Sequence, residues 1–292
     1  LAANHISRVY GILNGTCNYI LTKISEEGSE FDDVLKDAQD LGYAEAEPSL
    51  DIDGFDTAHK LAILNSLAFG MDINLKDIHV EGIRHISLQD IEFAREFGYV
   101  IKLLAIGKAH GEHVEARVHP TMIPLSDPLA HVNGVINAVV IDADATGRTM
   151  LYGRGAGMMP TGSAVLSDVV DIARNIISGT TARIPVLGCV EEHIQPVPVL
   201  PMSDLYTRYY LKFEAQDNYG VLAKISGILG EENISIESVH QKGRESNGNV
   251  PVVMITHMAR EESVQKALLE ISKTDAVVGP PVVIRIEELG SE

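Results

Sequence analysis

The stretch whose residue types can do chemistry is Gly42 to Lys60, GYAEAEPSLDIDGFDTAHK. It carries Glu45, Glu47, Asp51, Asp53 and Asp56 within twelve residues and ends on Lys60, at the head of an apolar run. Pro48 and Gly54 keep its first part in loop, because neither sits comfortably inside a helix. From Phe55 onward Ala58, Leu61, Ala62, Leu64, Leu67 and Ala68 recur at spacings of three and four, which predicts a helix over about 55–69. Asp56 and Lys60 then lie one turn apart on one face, near the helix N-terminus. An acidic loop running onto a helix with one lysine is a cradle for a substrate with an ammonium group and a reducible or protonatable oxygen. The same residues also describe a solvated acidic loop with a surface ion pair, since charge clusters are commonly solvated faces.

Neighbouring elements must hold that loop and helix in place. Residues 8–25 read as an amphipathic helix broken by Gly11 and Gly15, with the backbone at Asn14-Gly15-Thr16 able to approach a ligand closely. Thr16 reads equally as a helix N-cap. Phe31 to Leu41 is a second helix, with Asp32 and Asp33 in its first turn and Gly42 after its end. Ile78 to Ile86 reads as a strand, and Ser87 with Asp90 forms a capping box that opens a helix over about 88–96. Strands are expected over 100–109 and 114–120, with a turn at Gly111, then a short helix from Pro128. Residues 135–143 and 149–152 read as a hairpin. Pro160 to Ile177 is a helix with Ala164, Val165, Val169, Ile172, Ala173 and Ile176 on one face. Helices and strands without strict alternation predict an α+β domain with a mixed or mostly antiparallel sheet.

The run at 42–60 resembles the substrate-site signature of homoserine dehydrogenases, a Gly-Tyr-x-Glu-x-[Asp/Glu]-Pro loop leading to Asp-x-x-Gly-x-Asp-x-x-x-Lys. GILNGTCNYILTKI at 11–24, EFGYVIKLLAI at 96–106, RVHPTMIP at 117–124 and YGRGAGMMPTGSAVLSDVV at 152–170 resemble the same family in the same order. Asp127-Pro128 stands where the family commonly has His-Pro, and Arg154 where it often has Pro; neither position is assigned to chemistry.

Prolines at 185, 196, 198 and 201 among valines and leucines make 180–205 an extended linker. From Tyr206 a new pattern begins: strand 209–215, helix 221–231, strand 234–241, a turn at 247–249, strand 250–258, helix 261–273 and strand 282–287. That is βαββαβ, the ferredoxin-like order. DNYGVLAKISGILGEENISIESVHQ resembles the opening of an ACT domain, with Tyr219 in place of the customary proline. The expected organisation is a mixed-sheet substrate and dimerisation domain over 1–178, a linker over 179–205 and an ACT domain over 206–288.

The 292 residues suffice for about two domains. A net charge of −18 argues against nucleic acid or an anionic membrane surface as partner. No apolar run reaches about 18–20 residues and no signal-peptide pattern is read, so neither a membrane span nor a leader is expected. Cys17 and Cys189 form neither metal spacing nor a disulfide framework, which fits core thiols of a reducing cytoplasm. No Gly-x-Gly-x-x-Gly follows a strand; Gly153, Gly155 and Gly157 merely alternate.

The resemblance implies NAD- or NADP-dependent interconversion of L-homoserine and L-aspartate 4-semialdehyde, in the biosynthesis of threonine, methionine and isoleucine. It implies Lys60 and Asp56 as catalytic residues, and Gly15, Thr16, Tyr43, Glu45 and Asp51 around the substrate. Gly155 and Gly157 would lie beside the cofactor, with 153–178 returning to the nucleotide-binding region. In the family that region comes first, so the chain is expected to be a fragment lacking most of it. The cation site and a second lysine are expected there too, and no metal ligand is assigned. Alone, the fragment is expected to be inactive. The other class of reading is a non-catalytic regulatory fragment that only binds an amino acid. In the ACT domain Asp217, Asn218, Gly220 and Val221 would meet a small amino acid, most simply L-threonine, although Asp217 reads equally as a helix N-cap. A homo-dimer or tetramer is expected, since a small sheet with an open edge invites pairing across a two-fold.

Overall fold

In the computed structural model the described residues are 1, 3–180, 185, 194–241 and 249–290. In chain order the elements are β1 (Ile6–Ile12), α1 (Gly15–Glu27), α2 (Phe31–Asp40), α3 (Ser49–Ile52), α4 (Phe55–Phe69), β2 (Met71–Asp72), β3 (His79–Val80) and α5 (Leu88–Glu96). Then come β4 (Tyr99–His110), β5 (His113–Pro124), β6 (Ile136–Ala143), β7 (Gly147–Arg154), α6 (Met158–Ile177) and β8 (Gln195–Pro196). The last are β9 (Tyr206–Gln216), α7 (Val221–Glu231), β10 (Ile236–Gln241), β11 (Asn249–Thr256), β12 (Ala259–Arg260), α8 (Glu261–Ser272) and β13 (Val282–Ile286). They fall into two compact units. The first is Leu1–Glu92, Lys102–Pro120 and Ser126–Val199, the second Phe93–Ile101, Thr121–Leu125 and Leu200–Glu292. Residues 181–184 and 186–193 of the expected linker, Cys189 among them, and Asn247-Gly248 of the expected turn lie outside the described residues.

In the first unit β1 lies between β4 and β6, antiparallel to both, with Tyr10 opposite Ile106 on one side and Val140 on the other. β6 and β7 form the expected hairpin, and β3 adds a parallel pair with residues 117–118 of β5. The sheet is mixed. Residues 8–25 are not a single broken helix: 6–12 are strand, and the helix begins only at Gly15. A strand paired on both edges and buried on both faces reads as a near-continuous apolar run, which periodicity does not separate from a buried helix. Val9, Tyr10 and Ile12 are all buried, and their β-branched or aromatic character suits the pleat.

The strand expected over 78–86 shrinks to His79–Val80. The chain leaves the sheet because it passes hard against α3: the Ile83 N–H donates to the Ile52 carbonyl, and any side chain at Gly82 would overlap that carbonyl. Elsewhere sequence and structure agree closely. α4 spans 55–69, and the Ser87–Asp90 box opens α5, with Asp90 accepting from the Ser87 N–H. α6 has no buried residue; Val165, Leu166, Val169, Ile172 and Ile176 are exposed.

The second unit has strands in the order β10-β11-β9-β13, every neighbour antiparallel. With α7 and α8 this is the ferredoxin-like arrangement. Tyr209, Leu211 and Phe213 of β9 pack with Ile225 and Leu229 of α7 and Val264, Leu268 and Ile271 of α8 to make its core.

Candidate active site

The site is built at the start of two helices. Gly54 ends the acidic loop with φ of 88°, a left-handed conformation that glycine adopts without strain, and α4 begins at the next residue. One turn in, Lys60 Nζ donates to Asp56 Oδ2 at 2.6 Å and to the backbone carbonyl of Leu13 at 3.0 Å. The lysine is therefore tied both to its own helix and to the turn between β1 and α1. That turn is fixed by Asn14. Its Oδ1 accepts from the Cys17 N–H at 2.8 Å, capping α1, while its Nδ2 donates to Asp51 Oδ1 at 2.7 Å and Asp56 Oδ2 at 2.9 Å. One buried amide thus sits between two carboxylates that would otherwise face each other.

Thr16 lies inside α1 and is not its cap; its hydroxyl donates to the Tyr43 carbonyl at 2.6 Å. The Tyr43 ring rests against Tyr19, centroids 5.0 Å apart. Cys17 is fully buried, and burial first, then the carboxylates of Asp51 and Asp56, push its thiol well above its ordinary pKa. It is a protonated core thiol.

These residues surround a cleft of about 490 Å³ within the first unit. Gly15, Thr16, Tyr43, Glu45, Asp51, Asp56 and Lys60 line it, as does Gly157. Gly155 does not line it; it is exposed and lies against the side chain of Asn137. Asn14, Asn137 and Arg154 also line the cleft and were not among the expected site residues. A capping signal at Asn14 was readable in the sequence. Nothing local marked Asn137, and Arg154 was set aside there.

At the rim α6 starts after Gly157, whose φ of 140° again favours glycine, with no side chain capping the helix. β7, Gly155-Ala156-Gly157 and α6 do run strand, glycine turn, helix, but β7 pairs antiparallel with β6 and the glycines lack the Gly-x-Gly-x-x-Gly spacing of a dinucleotide cradle. Among the described residues no cluster of three or more His, Cys, Asp or Glu could hold a metal ion.

The second unit has its own cleft of about 440 Å³, lined by Asp217, Asn218, Gly220 and Val221 together with Gln216 and Ser226. Asp217 is not the cap of α7; that position is Gly220, with φ of 85°. Tyr219, in place of the customary proline, is fully exposed.

The homoserine dehydrogenase family model matches residues 1–170, and the ACT domain model matches 209–276. The homoserine dehydrogenase of Neisseria gonorrhoeae is 45% identical over 289 residues, covering 99% of this chain and 66% of that protein. The Synechocystis enzyme is 47% identical, covering 98% of this chain and 67% of that protein. Among solved structures, a homoserine dehydrogenase from Thiobacillus denitrificans superposes with a TM-score of 0.92 at 43% identity, over 99% of this chain and 66% of that one. The S. aureus enzyme at pH 6.0 gives 0.74 at 31% identity, over 98% of this chain and 67% of that one. The chain spans about two thirds of the length of these relatives. No described helix is long and apolar enough to cross a membrane. The chain belongs to the homoserine dehydrogenase family, with an ACT domain at its C-terminal end.

Proposed function

We propose that the protein interconverts L-homoserine and L-aspartate 4-semialdehyde in the cytoplasm, in the cleft of the first unit, with NAD or NADP as redox partner. One observation carries the reading: the Lys60 ammonium is held by Asp56 and the Leu13 carbonyl, which uses two of its three hydrogens and leaves the third for the cleft. Reducing an aldehyde leaves an alkoxide that needs a proton or a positive neighbour, and Lys60 supplies either. Asp56 holds and orients it. Glu45 and Asp51 receive the substrate's ammonium and hydroxyl ends, since an ammonium leaves water only in exchange for carboxylates. Tyr43, Gly15 and Thr16 shape the remaining wall. The nicotinamide supplies or accepts the hydride when bound, with Gly157 on its side of the cleft.

In this reading residues 1–178 form the substrate and dimerisation domain, 179–205 the linker and 206–288 a regulatory domain. The regulatory domain binds L-threonine through Asp217, Asn218, Gly220 and Val221, and the protein works as a homo-dimer or tetramer. The test is homoserine-dependent reduction of NAD or NADP by the full-length protein. No turnover with either nucleotide would overturn the reading.

A further inference from the structure

Asn137, at the start of β6, joins three walls of the cleft that come from distant parts of the chain. Its Nδ2 donates to the Leu13 carbonyl at 3.2 Å, and that carbonyl is also the acceptor for Lys60 Nζ at 3.0 Å. One backbone oxygen is thus fixed from two sides, by the amide and by the lysine. The second amide atom, Asn137 Oδ1, is buried without a hydrogen-bond partner. A buried unsatisfied acceptor costs stability, so this side chain is a poor choice for stability alone. On either side of it are glycines. A methyl at Gly15 would stand 3.4 Å from Oδ1, and a methyl at Gly155 would overlap Nδ2 and lie 3.1 Å from Cγ. Gly155 has no positive φ, so its backbone conformation does not call for glycine; the close approach of Asn137 does.

We propose that Asn137 is a positioning residue for Lys60, acting through the Leu13 carbonyl, and that residue 155 is glycine to leave room for its amide rather than to meet the cofactor. The inference rests on the assignment of Lys60 made above. A side chain at 155 forces the Asn137 amide to rotate away, which breaks its bond to Leu13. The carbonyl then loses one of its two anchors, and the lysine follows it.

The test is a double-mutant cycle in the full-length protein with Asn137→Ala and Gly155→Ala. Displacing a reacting group by a fraction of an ångström to an ångström costs about 10- to 100-fold, so Asn137→Ala should lower kcat by that amount. The KM for homoserine should move less than about threefold, because the substrate's own contacts remain. Gly155→Ala should give the same loss, yet add less than about threefold once Asn137 is already alanine. Asn137→Asp keeps the volume but not the donor and should behave like Asn137→Ala. If Asn137→Ala does not fold, Asn137→Ser takes its place in the cycle.

A second readout needs no turnover. Acetylation of Lys60 by acetic anhydride, followed by mass spectrometry on this chain, should speed up alike in Asn137→Ala and Gly155→Ala. Multiplicative losses in the cycle, a Gly155→Ala effect confined to the KM for nucleotide, or unchanged Lys60 reactivity would each overturn the proposal. A wild-type protein with no homoserine turnover would instead overturn the functional reading, leaving the labelling experiment to decide this one.

Discussion

Asn14 does two things with one side chain, capping α1 through its oxygen and bridging Asp51 to Asp56 through its nitrogen. Replacing it by alanine removes a cap worth about 1 kcal/mol. It also leaves two carboxylates without their shared donor. Asn14→Ala should therefore lower the melting temperature and weaken homoserine binding by calorimetry, and Asn14→Asp should do worse by adding a third carboxylate. Unchanged melting and affinity in both variants would show the bridge to be idle. Asp56 and Lys60 were legible in the sequence because they lie four apart on one helix, so their meeting is a local fact. Asn137 was not legible. Its partners lie at Leu13 and Gly155, and the pairing of β6 with β1 on one edge and with β7 on the other brings them together.

At the scale of elements, α4, the α5 capping box, the β6–β7 hairpin and the elements of the second unit could be read from periodicity and caps. β1 could not, because its two-sided burial removes the alternation that marks a strand. Equally hidden was the way β4 grips α1. Lys102 of β4 is 2% exposed, and it donates to the Val132 carbonyl at 2.7 Å, Asn133 Oδ1 at 3.0 Å and Asn18 Oδ1 of α1 at 3.1 Å. Burial lowers its pKa from 10.5 to about 8. The unfolded chain therefore holds a proton that the folded one releases between these values, so this group makes stability rise with pH from about 8 to 10.5. The shift corresponds to roughly 3 kcal/mol. Chemical denaturation across that window should show the rise in the wild type, and the difference from Lys102→Met should grow with pH. Parallel curves for the two proteins would contradict the account.

At the scale of the whole molecule, each unit carries its own cleft, one beside Lys60 and one beside Asp217. If the second is a regulatory site, threonine should inhibit the full-length protein by weakening homoserine binding, by a factor within the usual coupling range of about 5- to 150-fold. Asp217→Ala should remove that inhibition while leaving the uninhibited rate intact. Inhibition that survives Asp217→Ala would place the effector elsewhere. The central claim is that the Lys60 ammonium exchanges the proton at the substrate oxygen while Asp56 holds it. Its most direct test is the rate of homoserine oxidation by the full-length protein carrying Lys60→Ala. Loss of a general acid–base group predicts a fall of about 10²- to 10⁴-fold, with a smaller fall for Asp56→Ala. A Lys60→Ala rate within about threefold of the wild type would contradict it.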